Sequence, residues 1–196
     1  MQNFLFICYI IIIYRAIKGK YIESGSSAIN QMFQEGFQMA NKVEKLKVNY
    51  KTLEEFKKFK EYGVQELSML DDLQENIIEN DSESPFYGIY FGDTLVARMS
   101  LYQRDARFDQ YFDPAQNYLE LWKLEVLPKY QNKGYGSILV EFAKSFGLPI
   151  KTNSRIKSQG FWERMDFHQV TYDVERDLSE NPMVWFPEGV SEQKHG

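Results

Sequence analysis

Cysteine is nearly absent from this chain of 196 residues, and Cys8 is the only one. That excludes a disulfide framework and a cysteine zinc site, and past residue 8 it excludes a cysteine nucleophile. Histidine is almost as scarce. His168 and the tail residue His195 are the only two, so no metal site is expected. The longest apolar run, residues 4–14, falls short of the ~20 residues that span a bilayer. An excess of positive charge is also missing, since the formal net charge is −5. A nucleic-acid partner normally requires a basic face, so none is expected. The acidic balance suits a basic substrate without identifying one.

What is present is 43% hydrophobic and 16% aromatic. That supplies one domain with a proper core and leaves little room for a second. Residues 1–38 do not match the rest. The run at 4–14 resembles the apolar region of a signal peptide, yet its basic residues Arg15, Lys18 and Lys20 follow it rather than precede it. We expect translation to start at Met39, with 1–38 an upstream extension. Glu35-Gly36 can be encoded GAAGGA, a ribosome-binding sequence, two codons before Met39. A membrane anchor is the alternative. A native N-terminal peptide beginning before Met39, seen by mass spectrometry, would refute the upstream reading. Residues 39–196 then form a single domain, expected in the cytoplasm without membrane contact, as a monomer or homodimer.

From Met39 the chain alternates apolar and polar residues at 43–50, which predicts a first strand. Thr52 with Glu55 has the capping-box spacing of a helix start, and Gly63 stops that helix. A second helix follows, with Val64, Leu67, Leu70, Leu73 and Ile77 on one stripe. Residues 85–91, Gly92-Asp93 and 94–103 read as an antiparallel hairpin. Residues 104–116 form a long connection, either a wall or lid for a ligand or a surface loop whose aromatics pack on the sheet edge. Ile138, Leu139, Phe142, Ala143 and Phe146 define another helix face, closed by Gly147 and Pro149. Strands are expected at 150–153, 167–174 and 182–187, with 191–196 frayed.

The most informative stretch is 119–147, a buried strand, a glycine-bearing loop and an amphipathic helix. Gly134 and Gly136 let the backbone approach a ligand and aim its N–H groups at one point. The helix start adds free amides and a positive dipole end. Together these features make a phosphate cradle. The G-x-G-x-x-G spacing of a dinucleotide fingerprint is absent, as is an early βαβ unit.

The pattern Leu124-x-Val126-x-Pro128-x-Tyr130-Gln131-x-x-Gly134-x-Gly136 resembles motif A of the GNAT family of N-acetyltransferases. Residues 158–167 resemble its motif B, with Trp162 in the usual tyrosine position and Asp166 in the usual glycine position. The resemblance covers roughly 43–187. It implies an α/β (α+β) GNAT fold: a mixed, mostly antiparallel sheet of about six to seven strands, splayed at the motif-A strand and flanked by about four helices. It also implies acetyl-coenzyme A as cosubstrate and direct transfer of acetyl to a primary amine.

Carried over residue by residue, Leu124 and Val126 offer backbone groups to the pantetheine. Gln131, Asn132, Lys133, Gly134, Tyr135, Gly136 and Ser137 hold the pyrophosphate, and Asn153 bonds the pantetheine or adenine end. In histone-acetyltransferase-like members the base stands four residues before the leucine position, which is Glu120 here. Glu125 is the second candidate. An indole N–H cannot protonate a leaving thiolate, so either water or Tyr172 takes the role that the motif-B tyrosine has elsewhere. The other reading open at this point is a coenzyme A-binding module of the same fold whose chemistry is weak or lost. The acceptor, a small amine or a protein amine, is not specified by any motif.

Overall fold

The computed structural model describes residues 42–59, 69–78, 84–178 and 180–192, all within one folding unit, Asn41–Gly196. The extension at 1–38 and the helix stop at Gly63 lie outside the described residues. Seven strands form one sheet in the order β1-β2-β3-β5-β6-β8-β7. They are β1 (Val43–Lys45), β2 (Phe86–Phe91), β3 (Thr94–Arg104), β5 (Tyr118–Val126), β6 (Ile150–Asn153), β7 (His168–Gln169) and β8 (Pro182–Trp185). Every neighbouring pair is antiparallel except β5 with β6. A second, two-stranded sheet pairs β4 (Phe112–Asp113) with β9 (Ser191–Glu192). The expected mixed sheet is therefore present, and residues 191–192 are paired rather than frayed.

The helices are α1 (Tyr50–Phe56), α2 (Met69–Ile78), α3 (Tyr135–Lys144), α4 (Gln159–Arg164) and the single turn α5 (Val174–Asp177). Two starts differ from the sequence expectation, both because a side-chain cap outweighs apolar alternation. Asn49, not Thr52, caps α1; its Oδ1 accepts from the Thr52 N–H at 2.9 Å, and Thr52 is buried inside the helix. This ends β1 at Lys45. Asp173 likewise caps α5 by accepting from the Glu175 and Arg176 amides. The strand expected over 167–174 is consequently cut to His168–Gln169.

The sheet is covered on both faces. Leu119, Leu121, Leu139, Val140, Ala143 and Trp162 belong to one buried cluster, shared with α3 and α4. Leu53, Phe56, Met69 and Leu73 from α1 and α2 form another, with Phe86 and Leu95. Burial of this kind stabilises by about 25 cal/mol per Å² of apolar surface. The long connection 104–116 packs Tyr111 and Phe112 against Tyr118 and Val184 in a third cluster on the sheet, while its Phe108 stays exposed.

Candidate active site

β5 is the strand on which the site depends. It pairs with β3 along its whole length, but with β6 only at Leu119↔Ile150, Glu120↔Lys151 and Leu121↔Thr152. Beyond Leu121 the two strands part, and Thr152 Oγ1 donates to the Leu121 carbonyl at the fork, 2.8 Å. On the other side the Leu127 N–H donates to the Val96 carbonyl at 2.9 Å. In an antiparallel ladder, successive residues direct their N–H and C=O alternately toward and away from the partner. Leu124 and Val126 therefore direct theirs away from β3, into the opening. The Val126 carbonyl accepts from Gln131 Nε2 at 3.1 Å.

The opening continues into a cleft of about 1950 Å³. Its lining includes Leu124, Glu125, Val126, Gln131, Asn132, Gly134, Tyr135, Gly136, Ser137 and Asn153, all of them candidates named from the sequence. Asn132 (φ 60°) and Gly134 (φ 86°) take left-handed backbone as the loop turns into α3. The first amides of α3 have no intrahelical acceptor and belong to its positive end. Gly136 is closely packed. A Cβ there would lie 3.3 Å from the Phe161 ring and 3.5 Å from Leu124. Lys133 is absent from the lining; its Nζ lies 5.2 Å from the centre of the Tyr130 ring.

The two strand carboxylates have different surroundings. Glu125 lines the cleft, and its Oε2 accepts from Arg98 Nε at 2.9 Å and Nη2 at 2.5 Å. Arg98 is fully buried, its guanidinium 4.4 Å from the centre of the Phe56 ring and 4.5 Å from that of Phe59. Nothing in the sequence distinguishes this arginine from the other polar residues of its strand. Glu120 lies outside the lining. Its Oε2 accepts from Arg104 Nε at 2.7 Å and its Oε1 from Lys151 Nζ at 3.1 Å. Burial alone would raise its pKa, but Lys151 and Arg104 together outweigh burial and hold the carboxyl below its ordinary range.

Tyr172 is 54% exposed after β7 and does not line the cleft. Trp162 is buried among core residues, in ring contact with Phe161 and Phe167, and also lines the cleft. Asp166 takes φ 58°, the conformation a glycine would adopt there without strain. Sequence reasoning missed Trp122, Thr152, Arg155 and Glu180, which also line the cleft. Only the strand positions of Trp122 and Thr152 carried any signal, because both flank residues already singled out.

A sheet that forks beside a glycine-bearing helix start, with a carboxylate on the open strand, is the architecture of a coenzyme A-dependent acyltransferase. Comparison with known proteins agrees. The model of the acetyltransferase (GNAT) family matches residues 49–167. An N-acetyltransferase of Oceanobacillus iheyensis is 68% identical over 152 residues, covering 78% of this chain and 95% of the relative. The N-acetyltransferase YlbP of Bacillus subtilis is 70% identical over 147 residues, covering 75% of this chain and 92% of the relative. The crystal structure of YlbP in complex with coenzyme A has a TM-score of 0.66, is 66% identical, and covers 79% of this chain and 99% of its own. The chain belongs to the GNAT family and is an acetyl-coenzyme A-dependent N-acetyltransferase.

Proposed function

We propose that this chain moves acetyl directly to a primary amine at the fork, with Glu125 as the general base. The fork carries the reading, because it turns the Leu124 and Val126 backbone groups into the cleft where Glu125 also stands. When bound, acetyl-coenzyme A supplies the activated acetyl thioester. Leu124 and Val126 bond its pantetheine arm much as a neighbouring strand would. The Val126 N–H donates to the thioester oxygen as negative charge builds there, an effect of ~3 kcal/mol in comparable oxyanion contacts. The amides of 134–137, at the positive end of α3, hold the pyrophosphate.

Glu125 takes the proton that the acceptor ammonium must lose. Arg98 donates to its Oε2, and among the described residues no donor is seen on Oε1, the oxygen for this step. Glu120 has both oxygens engaged by cations, which supports a role in holding β3, β5 and β6 together. The exposure of Tyr172 favours water, not that phenol, as the proton source for the thiolate. With a thiol pKa near ~8.5 the thiolate is a tolerable leaving group.

Thiol release from acetyl-coenzyme A with a panel of primary amines tests the reading. The wild type should exceed the buffer blank. Glu125→Gln should lose about 10²-fold or more in kcat, with the KM for acetyl-coenzyme A little changed. Glu120→Gln should lose much less. Full activity of Glu125→Gln would remove Glu125 as the base.

A further inference from the structure

We propose that Glu180 is a positioning residue for the cosubstrate, acting through Asn153; this rests on the reading that the cleft holds coenzyme A. Glu180 lies beyond the stretch matched by the family model, which ends at 167. It precedes β8, and its Oε2 accepts from two alternate residues of β6, which share a face of the strand. Lys151 Nζ donates to it at 3.1 Å and Asn153 Nδ2 at 2.6 Å. Lys151 is still paired, opposite Glu120, and Asn153 is the first residue of β6 beyond its last pair with β5. The segment is anchored on its far side by the Ser154 N–H, which donates to the Asn181 carbonyl at 2.9 Å.

The chemistry of this contact has a direction. An ionised carboxylate has acceptors only, whereas a primary amide has a donor end and an acceptor end. Glu180 therefore selects the NH₂ of Asn153 and turns its Oδ1 the other way. Asn153 lines the cleft, and that Oδ1 is covered yet accepts no hydrogen bond among the described residues. A covered acceptor without a donor is costly, and the N–H groups of a pantetheine arm are donors of the matching kind. Lys151 supplies the positive charge beside Glu180 and spans it to Glu120. The chain Glu120–Lys151–Glu180–Asn153 thus fixes which end of the Asn153 amide is left without a partner beside the cleft.

Calorimetric titration of coenzyme A into the wild type, Glu180→Gln, Asn153→Ala and the double variant tests this. A glutamine can donate as well as accept, so Glu180→Gln releases the amide to flip. Its Kd should rise about three- to tenfold, the range of one hydrogen bond. Asn153→Ala should show a similar loss, and the double variant should bind no more weakly than Asn153→Ala alone. Wild-type affinity in Glu180→Gln, or losses that multiply in the double variant, would overturn the proposal. A wild type that fails to bind coenzyme A would instead overturn the reading beneath it. Without ligand, the Asn153 side-chain amide ¹⁵N–¹H resonances should shift in Glu180→Gln. Unchanged resonances would also overturn the proposal.

Discussion

Glu120 and Glu125 are five positions apart on one strand, and their neighbours give them different chemistry. The sequence identified both, but it could not show that Glu120 is held by Arg104 and Lys151, because those contacts come from β3 and β6. Nor could it show Arg98 buried between Phe56 and Phe59, since the residue sits in an ordinary alternating run. The lowered pKa of Glu120 has a consequence for acid stability. A depressed carboxylate pKa stabilises the fold above the unfolded value, here about 4.5, and that contribution is lost as pH falls through the lower folded value. Glu120→Gln should therefore melt below the wild type at pH 7, and the gap should close as pH drops below about 4.5. A gap independent of pH would contradict this. At Gly134, φ of 86° means that alanine costs about 1–2 kcal/mol. Gly134→Ala should lower both the melting temperature and the affinity for coenzyme A.

At the scale of elements, the hairpin β2–β3, the strand β6 and the loop into α3 were all legible, because each is short-range and marked by its own turn residues. The capped starts at Asn49 and Asp173 were not, since a cap competes locally with alternation and the pattern alone does not say which prevails. The least legible feature is the bulge in β5. Ser100 pairs with Lys123 and Leu101 with Leu121, so Trp122 is an extra residue on that strand. Side chains alternate with period two, and an odd separation normally puts two residues on opposite faces. The extra residue restores Glu120, opposite Tyr102, and Glu125, opposite Arg98, to the same face. Moving the bulge out of this segment without changing its length would put one of the two carboxylates on the α3 face, whereas deleting Trp122 leaves them four positions apart and on one face. The fork has its own test. Thr152→Val keeps the shape but removes the bond to the Leu121 carbonyl, which should cost about 1 kcal/mol by denaturant unfolding. A variant as stable as the wild type would show that the bond contributes nothing there.

For the molecule as a whole, family membership follows from features spread over most of the chain, while the acceptor depends on walls that no motif describes. Phe59, Trp122 and Leu178 border the cleft from three separate elements or turns, and contacts of that kind arise only on folding. Among the described residues, no helix is long and apolar enough to cross a membrane. The fork also predicts a kinetic signature. Backbone amides within a ladder exchange their protons with solvent slowly, whereas amides aimed into an open cleft exchange quickly. In deuterated water, Leu124 and Val126 should exchange early although they belong to a paired strand, while Glu125 between them stays protected by β3. Coenzyme A should slow the first two selectively. The strand would then behave as half-shielded, one residue in two, with the ligand acting as the shield for the other half.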